Sequence, residues 1–362
     1  MIKKIAIFFL GDYRFDGRSY NMIQTLTKNH HVTIYHNEDM EFPLINENKN
    51  LSVINITLLK IKWIKYFLWF WNIYKKDISH YDKIIASDLY SLLPLSFSYN
   101  KKNIIYDSRE IYTKLAIHKN NRIKNYILSI IEKISLYKVN IIFTTANSDQ
   151  EYLKKIYIKY RNIKYYNIYN YPYSFDYKEN NFLRKKFNIS SSNKILLYQG
   201  VIQKNRGISQ FIKIIKNTKN IYGIIIGYGE HKKYFSNMIK EMKLSKKILF
   251  LEKIPYNQLL QITSSADIGF ALIPGVGMSN QFALPNKIFE YAAARIPTLA
   301  TPLLNMKKAI NKYNLGDCID YNDLDKQIDF IMNTDKKKYF NSKMHEIQWS
   351  YQEKLFNSII NA

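Results

Sequence analysis

The chain has one cysteine, Cys318, in 362 residues. A single cysteine excludes an internal disulfide framework and a cysteine-based zinc site, and it fits a reducing compartment. The sequence also lacks any uninterrupted apolar run of about 18 residues, so we predict no transmembrane helix. The apolar run at the start is short and is followed by no small-residue cleavage site, so we predict a first buried strand there instead of a signal peptide.

Acidic residues are scarce as well: 29 Asp and Glu stand against 54 Lys and Arg, which gives a formal net charge of +25. Such an excess predicts an anionic partner, either lipid or nucleic acid. It could equally reflect a compositional bias, since Lys, Asn, Ile and Tyr are abundant together. The hydrophobic share of 47% and the length allow two domains with sizeable cores and exclude wholesale disorder.

Short apolar runs alternate along the chain with segments of helical period, which indicates a parallel α/β architecture. The pattern starts with KKIAIFFLG, is lost in the polar stretch YNIYNYPYSFDYKENN at residues 166–181, and starts again with KILLYQG. Two doubly wound domains in tandem follow from this pattern, with their boundary in the polar stretch. Ligands of such sheets bind at the carboxyl ends of the strands, so the loops there are the candidate sites.

Four loops of the second half follow predicted strands: GVIQKNRG at 200–207, GYGE at 227–230, EKIP at 252–255 and PGVGMSNQFALPNK at 274–287. The first loop ends in Arg206 just before a helix, where backbone N–H groups and a guanidinium could bind a diphosphate. An ordinary basic loop is the alternative. The glycines of GYGE let the backbone approach a ligand, although two glycines at this spacing are a weak signal.

The segment LPNKIFEYAAARIPTLAT, residues 284–301, predicts a short amphipathic helix followed by a buried strand. Pro285 suits the first helical position, because its missing N–H has no partner to lose there. Lys287 and Glu290 lie one turn apart on one face. They either form an exposed ion pair, which is worth little, or they present a carboxylate to the hydroxyl groups of a ligand. The order of all four loops favours the second interpretation.

That order resembles the donor half of the retaining glycosyltransferases of family 4, which have the GT-B fold. The resemblance covers residues 195–305 and rests on six motifs: YQG, NRG, GYG, EKIP, ADIGFALIP and LPNKIFEYAAARIPTLAT. It extends to the first half through three segments and to the end of the chain through a fourth: FDGRSYNMIQTLTKNHHVTIY, ASDLYSLLPL, IIYDSREIYT and WSYQEKLFNSII.

The resemblance implies an α/β protein of the GT-B fold, with two doubly wound Rossmann-like domains facing a central cleft. The N-terminal, acceptor-binding domain would occupy residues 1–175 and would be completed by a C-terminal helix at residues 347–362. The C-terminal, nucleotide-sugar-binding domain would occupy residues 190–345.

Residues that match the family's donor motifs take implied roles. Glu290 would accept hydrogen bonds from the ribose hydroxyls of a nucleotide-sugar. Arg206 would neutralise the donor diphosphate, with help from Lys287. The remaining implied donor-binding positions line the nucleotide, bracket its base or face the donor sugar: Gly200, Gly227, Gly229, Lys253, Ile254, Asn280 and Asn286.

The chain departs from the family pattern at several positions. Phe282 stands where many members have a second glutamate, Arg295 replaces a glycine, and Arg109 replaces the histidine of the YDSHE segment. Arg109 could contact the transferring sugar or an acceptor phosphate, but it could not act as a base at neutral pH. Asp107 of the same segment is a candidate for orienting the acceptor. Its alternative is a strand-end carboxylate satisfied by nearby N–H groups.

The implied reaction is metal-independent. Charge would build up on the leaving diphosphate in an oxocarbenium-like transition state, and Arg206, Lys287 and helix N-terminal amides would stabilise it. The seven histidines are scattered and no Asp-x-Asp pair ends a strand, so we predict no metal site. We expect no cofactor apart from the donor substrate, a UDP- or GDP-linked sugar.

An aromatic and basic segment, LLKIKWIKYFLWFWNIYKK at residues 58–76, holds three of the four tryptophans. Trp63, Phe67 and Phe70 recur at helical spacing. The segment predicts a helix in a membrane interface, with a helix packed on the first sheet as the alternative. The stretch HKNNRIKNYILSIIEKISLYK at residues 118–138 makes a similar, weaker case. Together with the charge, these segments predict docking on anionic lipid. No nucleic-acid motif is present, so we expect no nucleic-acid partner.

The sequence therefore predicts a transferase that is peripheral on the cytoplasmic face of a bacterial inner membrane. It would build a surface polysaccharide, such as capsule or lipopolysaccharide, on a glycan or lipid-linked acceptor; this part rests on analogy. Two alternatives stay open: a non-catalytic GT-B relative that acts as the partner of another transferase, and a GT-B sugar-nucleotide epimerase. The oligomeric state is not predicted.

Overall fold

A computed structural model describes residues 1–37, 48–59, 61–98, 104–112, 122–160, 162–173, 178–275, 281 and 283–362. It divides into two compact units, Met1–Asn170 with Gln352–Ala362 (unit 1) and Tyr171–Tyr351 (unit 2). No helix in these ranges is long and apolar enough to cross a bilayer. Two residues of the sequence predictions, Asn280 and Phe282, lie outside the described ranges, and so does the side chain of Trp63.

Unit 1 is built on a parallel sheet whose described strands follow the order β3-β2-β1-β4-β5-β6-β7. The strands are β1 (Lys4–Phe9), β2 (His31–His36), β3 (Leu51–Asn55), β4 (Lys83–Ala86), β5 (Ile104–Asp107), β6 (Val139–Thr144) and β7 (Lys164–Asn167). The helices are α1 (Gly17–Leu26), α2 (Lys62–Tyr74), α3 (Leu89–Phe97), α4 (Arg122–Ser135) and α5 (Asn147–Ile156).

Unit 2 is built on a second parallel sheet, with the described order β10-β9-β8-β11-β12-β13. Its strands are β8 (Lys194–Gln199), β9 (Ile221–Ile226), β10 (Ile248–Leu251), β11 (Ile268–Ala271), β12 (Thr298–Ala300) and β13 (Gly316–Cys318). Its helices are α6 (Phe182–Phe187), α7 (Ile208–Lys216), α8 (Lys232–Glu241), α9 (Tyr256–Thr263), α10 (Lys287–Ala293), α11 (Leu304–Tyr313) and α12 (Leu324–Asn333). The last helix of the chain is α13 (Trp349–Asn361).

The central strands are mostly apolar and buried because helices cover both faces of a parallel sheet. All four residues of β4 are buried, and five of the six residues of β8 are buried. The strand order reverses between β1 and β4 in unit 1 and between β8 and β11 in unit 2. The predicted architecture, α/β with two doubly wound Rossmann-like domains, is confirmed. Each reversal point places a crevice at the carboxyl ends of the strands.

The prediction that Pro285 is the first helical residue is wrong. Helix α10 begins at Lys287, and Asn286 is its N-cap. The carbonyl of Pro285 accepts a bond from Ile288 N at 3.1 Å, which is the i to i+3 spacing of a tighter turn. The chain therefore makes one tight turn after the proline before the regular helix starts.

Helix α2 packs against the core of unit 1 with one face. Trp69 is completely buried, and its Nε1 donates to Ser91 Oγ on α3 at 3.3 Å. Phe67, in contrast, is 65% exposed and Trp71 is 44% exposed. The packed-helix interpretation of the aromatic segment therefore holds for one face of α2, while the other face stays open to solvent.

Glu132 on α4 is a carboxyl group buried in the core of unit 1. The hydroxyl groups of Tyr106, at 3.0 Å, and of Tyr157 donate to its two oxygens. Burial raises the pKa of Glu132 to about 7, although the two hydroxyl donors oppose the shift. Because the folded pKa lies above the ordinary value of 4.5, the folded chain holds a proton that the unfolded chain has released between pH 4.5 and about 7.

We therefore expect the contribution of Glu132 to the stability of the chain to fall as pH rises through this window. From pH 5 to pH 8 the Glu132 contribution to the free energy of unfolding should drop by about 2.5 kcal/mol. Urea denaturation of the wild-type chain and of Glu132→Gln at both pH values measures it, because the amide does not titrate. Parallel pH dependences in the two proteins would contradict the assignment.

Candidate functional site

The loops that follow β8 and β9 touch backbone to backbone. Gly227 has φ +149°, and a Cβ atom there would lie 2.0 Å from the carbonyl oxygen of Gly200. Gly200 N donates to Ile226 O at 3.0 Å, which extends the pairing of the two strands past their ends. Only glycine permits this approach. The two predicted glycines therefore form the floor of the crevice at the carboxyl end of β8.

The first loop ends at the start of α7. Gly207, with φ +89°, caps this helix, and a Cβ there would lie 1.8 Å from the carbonyl oxygen of Leu272. The helix start is thus held against the chain that leaves β11. Arg206 precedes it and is exposed, and no ion pair to its guanidinium is found within the described residues. A cation beside a helix N-terminus suits an anionic ligand.

Lys287 reaches across the floor of the same crevice. Its Nζ lies 3.7 Å from the centroid of the Tyr198 ring, and a Cβ on Gly200 would lie 3.8 Å from its Cε. Burial and the nearby charge of Arg206 lower the pKa of Lys287 to about 7, while Glu290 opposes the shift. The charges of the two cationic side chains therefore repel each other, and Lys287 is half titrated near neutral pH.

Glu290 lies one turn further along α10. Gln199, the last residue of β8, donates to its Oε2 through Nε2. The next residue, Tyr291, is buried, and its hydroxyl donates to Leu197 O at 3.0 Å. The structure thus brings together Glu290 and Lys287 with the strand-end glycines, and the pKa of Lys287 responds to the charge of Arg206.

The other described positions predicted in unit 2 lie in the loops after β9 and β10 and directly before α10. Lys253 follows β10, and its Nζ lies 4.8 Å from the ring centroid of Tyr228, between Gly227 and Gly229. Ile254 is half-buried and packs on the core of the unit. Asn286 is the N-cap of α10. Asn280 lies in a part of the chain that is not described.

Gln199 is a residue that the sequence reasoning missed. The signal was present in YQG, because a glutamine in an otherwise apolar strand must find hydrogen-bond partners when it is buried. Its partners lie far away in sequence, so the motif alone did not name them.

Arg109 and Asp107 belong to unit 1, at the carboxyl end of β5. Asp107 is completely buried and accepts from Arg18 Nε at 2.8 Å and from Arg109 Nε at 2.9 Å. Arg109 also donates to Asp16 at 2.8 Å. Its guanidinium lies 4.5 Å from the Phe9 ring centroid. Asp107 therefore has the geometry of a positioning residue. A direct contact of Arg109 or Asp107 with substrate stays a prediction.

Asp16 caps α1 by accepting from Ser19 N at 2.7 Å. Burial raises its pKa, but the charge of Arg109 and the bonds from Ser19 outweigh burial and lower the pKa overall. Asp16 and Asp107 are consequently carboxylates that fix the Arg109 side chain from two sides.

Comparison with known proteins defines the class. Residues 179–344 match the family described as Glycosyl transferases group 1, and no curated protein matches the chain in sequence. The structure is similar to sucrose-phosphate synthase (tll1590) from Thermosynechococcus elongatus, with 13% identity, 99% and 98% of the two chains covered and a TM-score of 0.75. It is also similar to Anabaena Alr3699/HepE in complex with UDP-glucose, with 13% identity, 99% of each chain covered and a TM-score of 0.73. A third similar structure is WaaG, a glycosyltransferase involved in lipopolysaccharide biosynthesis. The identity is 14%, the coverage is 98% of this chain and 95% of that chain, and the TM-score is 0.64.

The two Rossmann-like units and these structural neighbours define the GT-B fold, as predicted. Residues 179–344, which hold Arg206, Lys287 and Glu290, are a group 1 glycosyl transferase domain. The chain is a glycosyltransferase, which confirms the predicted enzyme class. The roles of the individual site residues stay predictions.

An anion bound beside Lys287 should raise its pKa, because the anion stabilises the ammonium. We expect UDP or GDP binding at pH 8 to take up close to one proton, and we expect the affinity to fall by about fivefold from pH 7 to pH 8 and by about tenfold from pH 8 to pH 9. Calorimetry in buffers of different ionisation enthalpy measures the uptake. Lys287→Met should abolish it, and a buffer-independent enthalpy in the wild-type enzyme would contradict the prediction.

Lys287 also has a consequence for the free protein, with the opposite sign to Glu132. Its folded pKa of about 7 lies below the ordinary 10.5, so between these values the unfolded chain holds a proton that the folded chain lacks. The contribution of Lys287 to stability therefore rises with pH across that window.

Proposed function

We propose that the chain is a retaining glycosyltransferase of family 4 that moves a sugar from a UDP- or GDP-linked donor to a glycan or lipid-linked acceptor of a bacterial surface polysaccharide, such as capsule or lipopolysaccharide. One observation carries the donor half: Arg206, Lys287 and Glu290 interact around the carboxyl end of β8. The similarity to a structure bound to UDP-glucose and to WaaG, involved in lipopolysaccharide biosynthesis, supports the proposal.

The chemical step needs stabilisation of the leaving diphosphate. Arg206 and Lys287 offer two positive charges, and the N-terminus of α7 adds backbone N–H groups beside them. Charge that grows on the leaving oxygens is stabilised by such fixed donors without reorganisation. Because these side chains supply the positive charge, we propose a metal-independent reaction in which a leaving phosphate oxygen takes the acceptor's proton.

The Glu290 carboxylate serves the nucleoside part. A carboxylate is an acceptor with several lone-pair directions, so it can bind both hydroxyls of a ribose at once. Gln199 holds the side chain at the end of β8. Gly200 and Gly227 beside it have no side chains, so a nucleotide can approach the protein backbone closely there. Lys253 and Ile254, with Tyr228 nearby, would bracket the base.

In unit 1, Arg109 is the proposed contact to the transferring sugar or to an anionic group of the acceptor. Its side chain keeps 13% of its surface exposed while Asp107 and Asp16 pair with it. Since a guanidinium has five N–H donors, these pairs and the bond to Ser19 Oγ leave donor capacity.

Exposed apolar side chains lie on three helices of unit 1, and we propose that they form one surface, which we call the apolar face. Helix α3 packs against both α2 and α4. The face comprises Ile64, Phe67, Trp71, Phe97, Ile123, Tyr126, Ile127, Ile130 and Ile134. Lys75 lies at its border, with Nζ 4.6 Å from the Trp71 ring centroid. Together with the net charge of +25, these features support docking on anionic phospholipid at the cytoplasmic face of the inner membrane.

Glu290→Ala should lower the affinity for the preferred ribonucleoside diphosphate by about 100-fold, because two hydrogen bonds to a charged group are lost. Calorimetry with UDP, GDP, CDP and CMP measures it, with Glu241→Ala on exposed α8 surface as the matched control. Unchanged affinity in Glu290→Ala would show that the donor assignment is wrong. Failure of the wild-type chain to bind any of the four would favour a non-catalytic partner of another transferase.

Phe67→Glu and Ile127→Glu should each weaken binding to vesicles of phosphatidylglycerol and phosphatidylethanolamine by at least about tenfold, because each loses apolar burial and adds a repelled charge. Vesicle sedimentation measures the binding, which should also weaken with salt. Phe182→Glu, an exposed phenylalanine of unit 2, is the matched control. Equal binding of all three variants and the wild-type chain would overturn the membrane proposal.

A further inference from the structure

Gln199 is a buried polar residue that the transfer chemistry itself does not use. We propose that it is a positioning residue, which fixes the Glu290 carboxylate for a ribose diol, and that Thr263 in turn fixes its amide. Through this relay the enzyme would favour ribonucleotide donors over donors that lack the hydroxyls. The proposal rests on the proposed role of Glu290 in donor binding.

The relay joins three elements of unit 2. Gln199 is the last residue of β8 and is only 2% exposed. Its Nε2 donates to Glu290 Oε2 on α10. Its Oε1 accepts from Thr263 Oγ1 at 2.8 Å, and Thr263 is the last residue of α9 and is completely buried. A glutamine side chain with both ends bonded has one orientation available.

The charge state of Glu290 decides which way the amide points. A carboxylate can only accept, so it must face the NH₂ group of Gln199. The carbonyl oxygen then faces Thr263, whose hydroxyl lies 2.8 Å both from it and from Leu259 O. A flipped amide would place its oxygen against the carboxylate, and two acceptors would repel each other. The carboxylate therefore selects a single amide orientation, and the Thr263 hydroxyl, whose one proton is shared between two carbonyl oxygens, fits that orientation.

The backbone of Gln199 is held as firmly as its side chain. Gln199 N donates to the Tyr291 hydroxyl at 3.1 Å, and that hydroxyl donates to Leu197 O at 3.0 Å. Residues 290 and 291 of α10 thus contact the same strand end by two different routes. Gln199 cannot turn away from Glu290 unless buried bonds at both of its ends break.

This arrangement has a consequence for ligand selection. An ordered carboxylate does not have to be immobilised when the diol binds, so its bonds to the hydroxyls contribute more to affinity. The bond from Gln199 uses one lone-pair direction and leaves others for the ribose. Without Gln199, the carboxylate would have to become ordered in each binding event. A ligand without ribose hydroxyls gains nothing from the relay.

The test compares each ribonucleoside diphosphate with its 2′,3′-dideoxy analogue. Calorimetry on the full chain gives the ratio of the two affinities for UDP and for GDP. The wild-type enzyme should prefer the ribonucleotide, and Gln199→Leu should reduce that preference by about tenfold. Thr263→Val, nearly isosteric, should reduce it by about threefold. Both variants should leave the affinity for the dideoxy analogue nearly unchanged.

Two further variants make the outcome decisive. Gln210→Leu removes a different buried glutamine bond, Nε2 to Gln327 Oε1 at 2.7 Å in the same unit, and should leave the preference at its wild-type value. Glu290→Ala should abolish the preference. Thermal unfolding of each variant identifies any loss of folding, and Thr263→Val carries the test if Gln199→Leu does not fold.

The results separate the two proposals. An unchanged preference in Gln199→Leu and Thr263→Val, or an equal loss of affinity for both ligands, overturns the positioning role. If Glu290→Ala still abolishes the preference in that case, the donor-binding role of Glu290 stands. A wild-type enzyme that shows no preference, or binds neither UDP nor GDP, overturns both.

Discussion

The arrangement of unit 2 depends on the hydrogen bonds of the Tyr291 hydroxyl. It accepts from Gln199 N, and its one proton lies within donor distance of a carbonyl in β8 and a carbonyl in β11, Leu197 O at 3.0 Å and Phe270 O at 3.2 Å. Gly269 makes room for the ring, because a Cβ there would lie 2.2 Å from Tyr291 Cδ2. Burial raises its pKa well above the ordinary value, so the group remains a neutral donor. Helix α10 is thereby attached to both strands at the point where their order reverses.

The two units handle buried charge in opposite ways. In unit 1, Asp107 pairs with Arg18 and Arg109, so the charges of the strand-end cluster are largely compensated. Removing one member would leave an uncompensated buried charge, which is strongly destabilising. In unit 2, Lys287 and Arg206 carry the same sign and interact unfavourably. Glu290 offsets part of that repulsion, and an anionic ligand bound as we propose would relieve it further.

Local patterns predicted the fold well because strand burial, helical period and strand-end glycines are properties of short segments. The resemblance to the family grouped Glu290, Lys287 and Arg206, and the structure places the segments that carry them after strands of the same sheet. Local patterns missed the bond between Gln199 and Thr263 because these residues lie 64 positions apart. They missed the pairing of Asp107 with Arg18 because these residues lie 89 positions apart. They misplaced the start of α10 because a proline also fits the tight turn just before a helix. Side-chain pairing between distant segments is fixed by packing, which no single motif encodes.

The adjacency of Glu290 and Tyr291 limits how this enzyme can evolve. One residue contacts Gln199 and the proposed donor site, and the next attaches the helix to the sheet. A helix places successive side chains about 100° apart, so a rotation of α10 that moved the carboxylate would also move the tyrosine. New donor preferences can therefore arise more readily in the loops that surround the helix than in the helix itself. Donor specificity would diversify around a conserved attachment point, and α10 would change last.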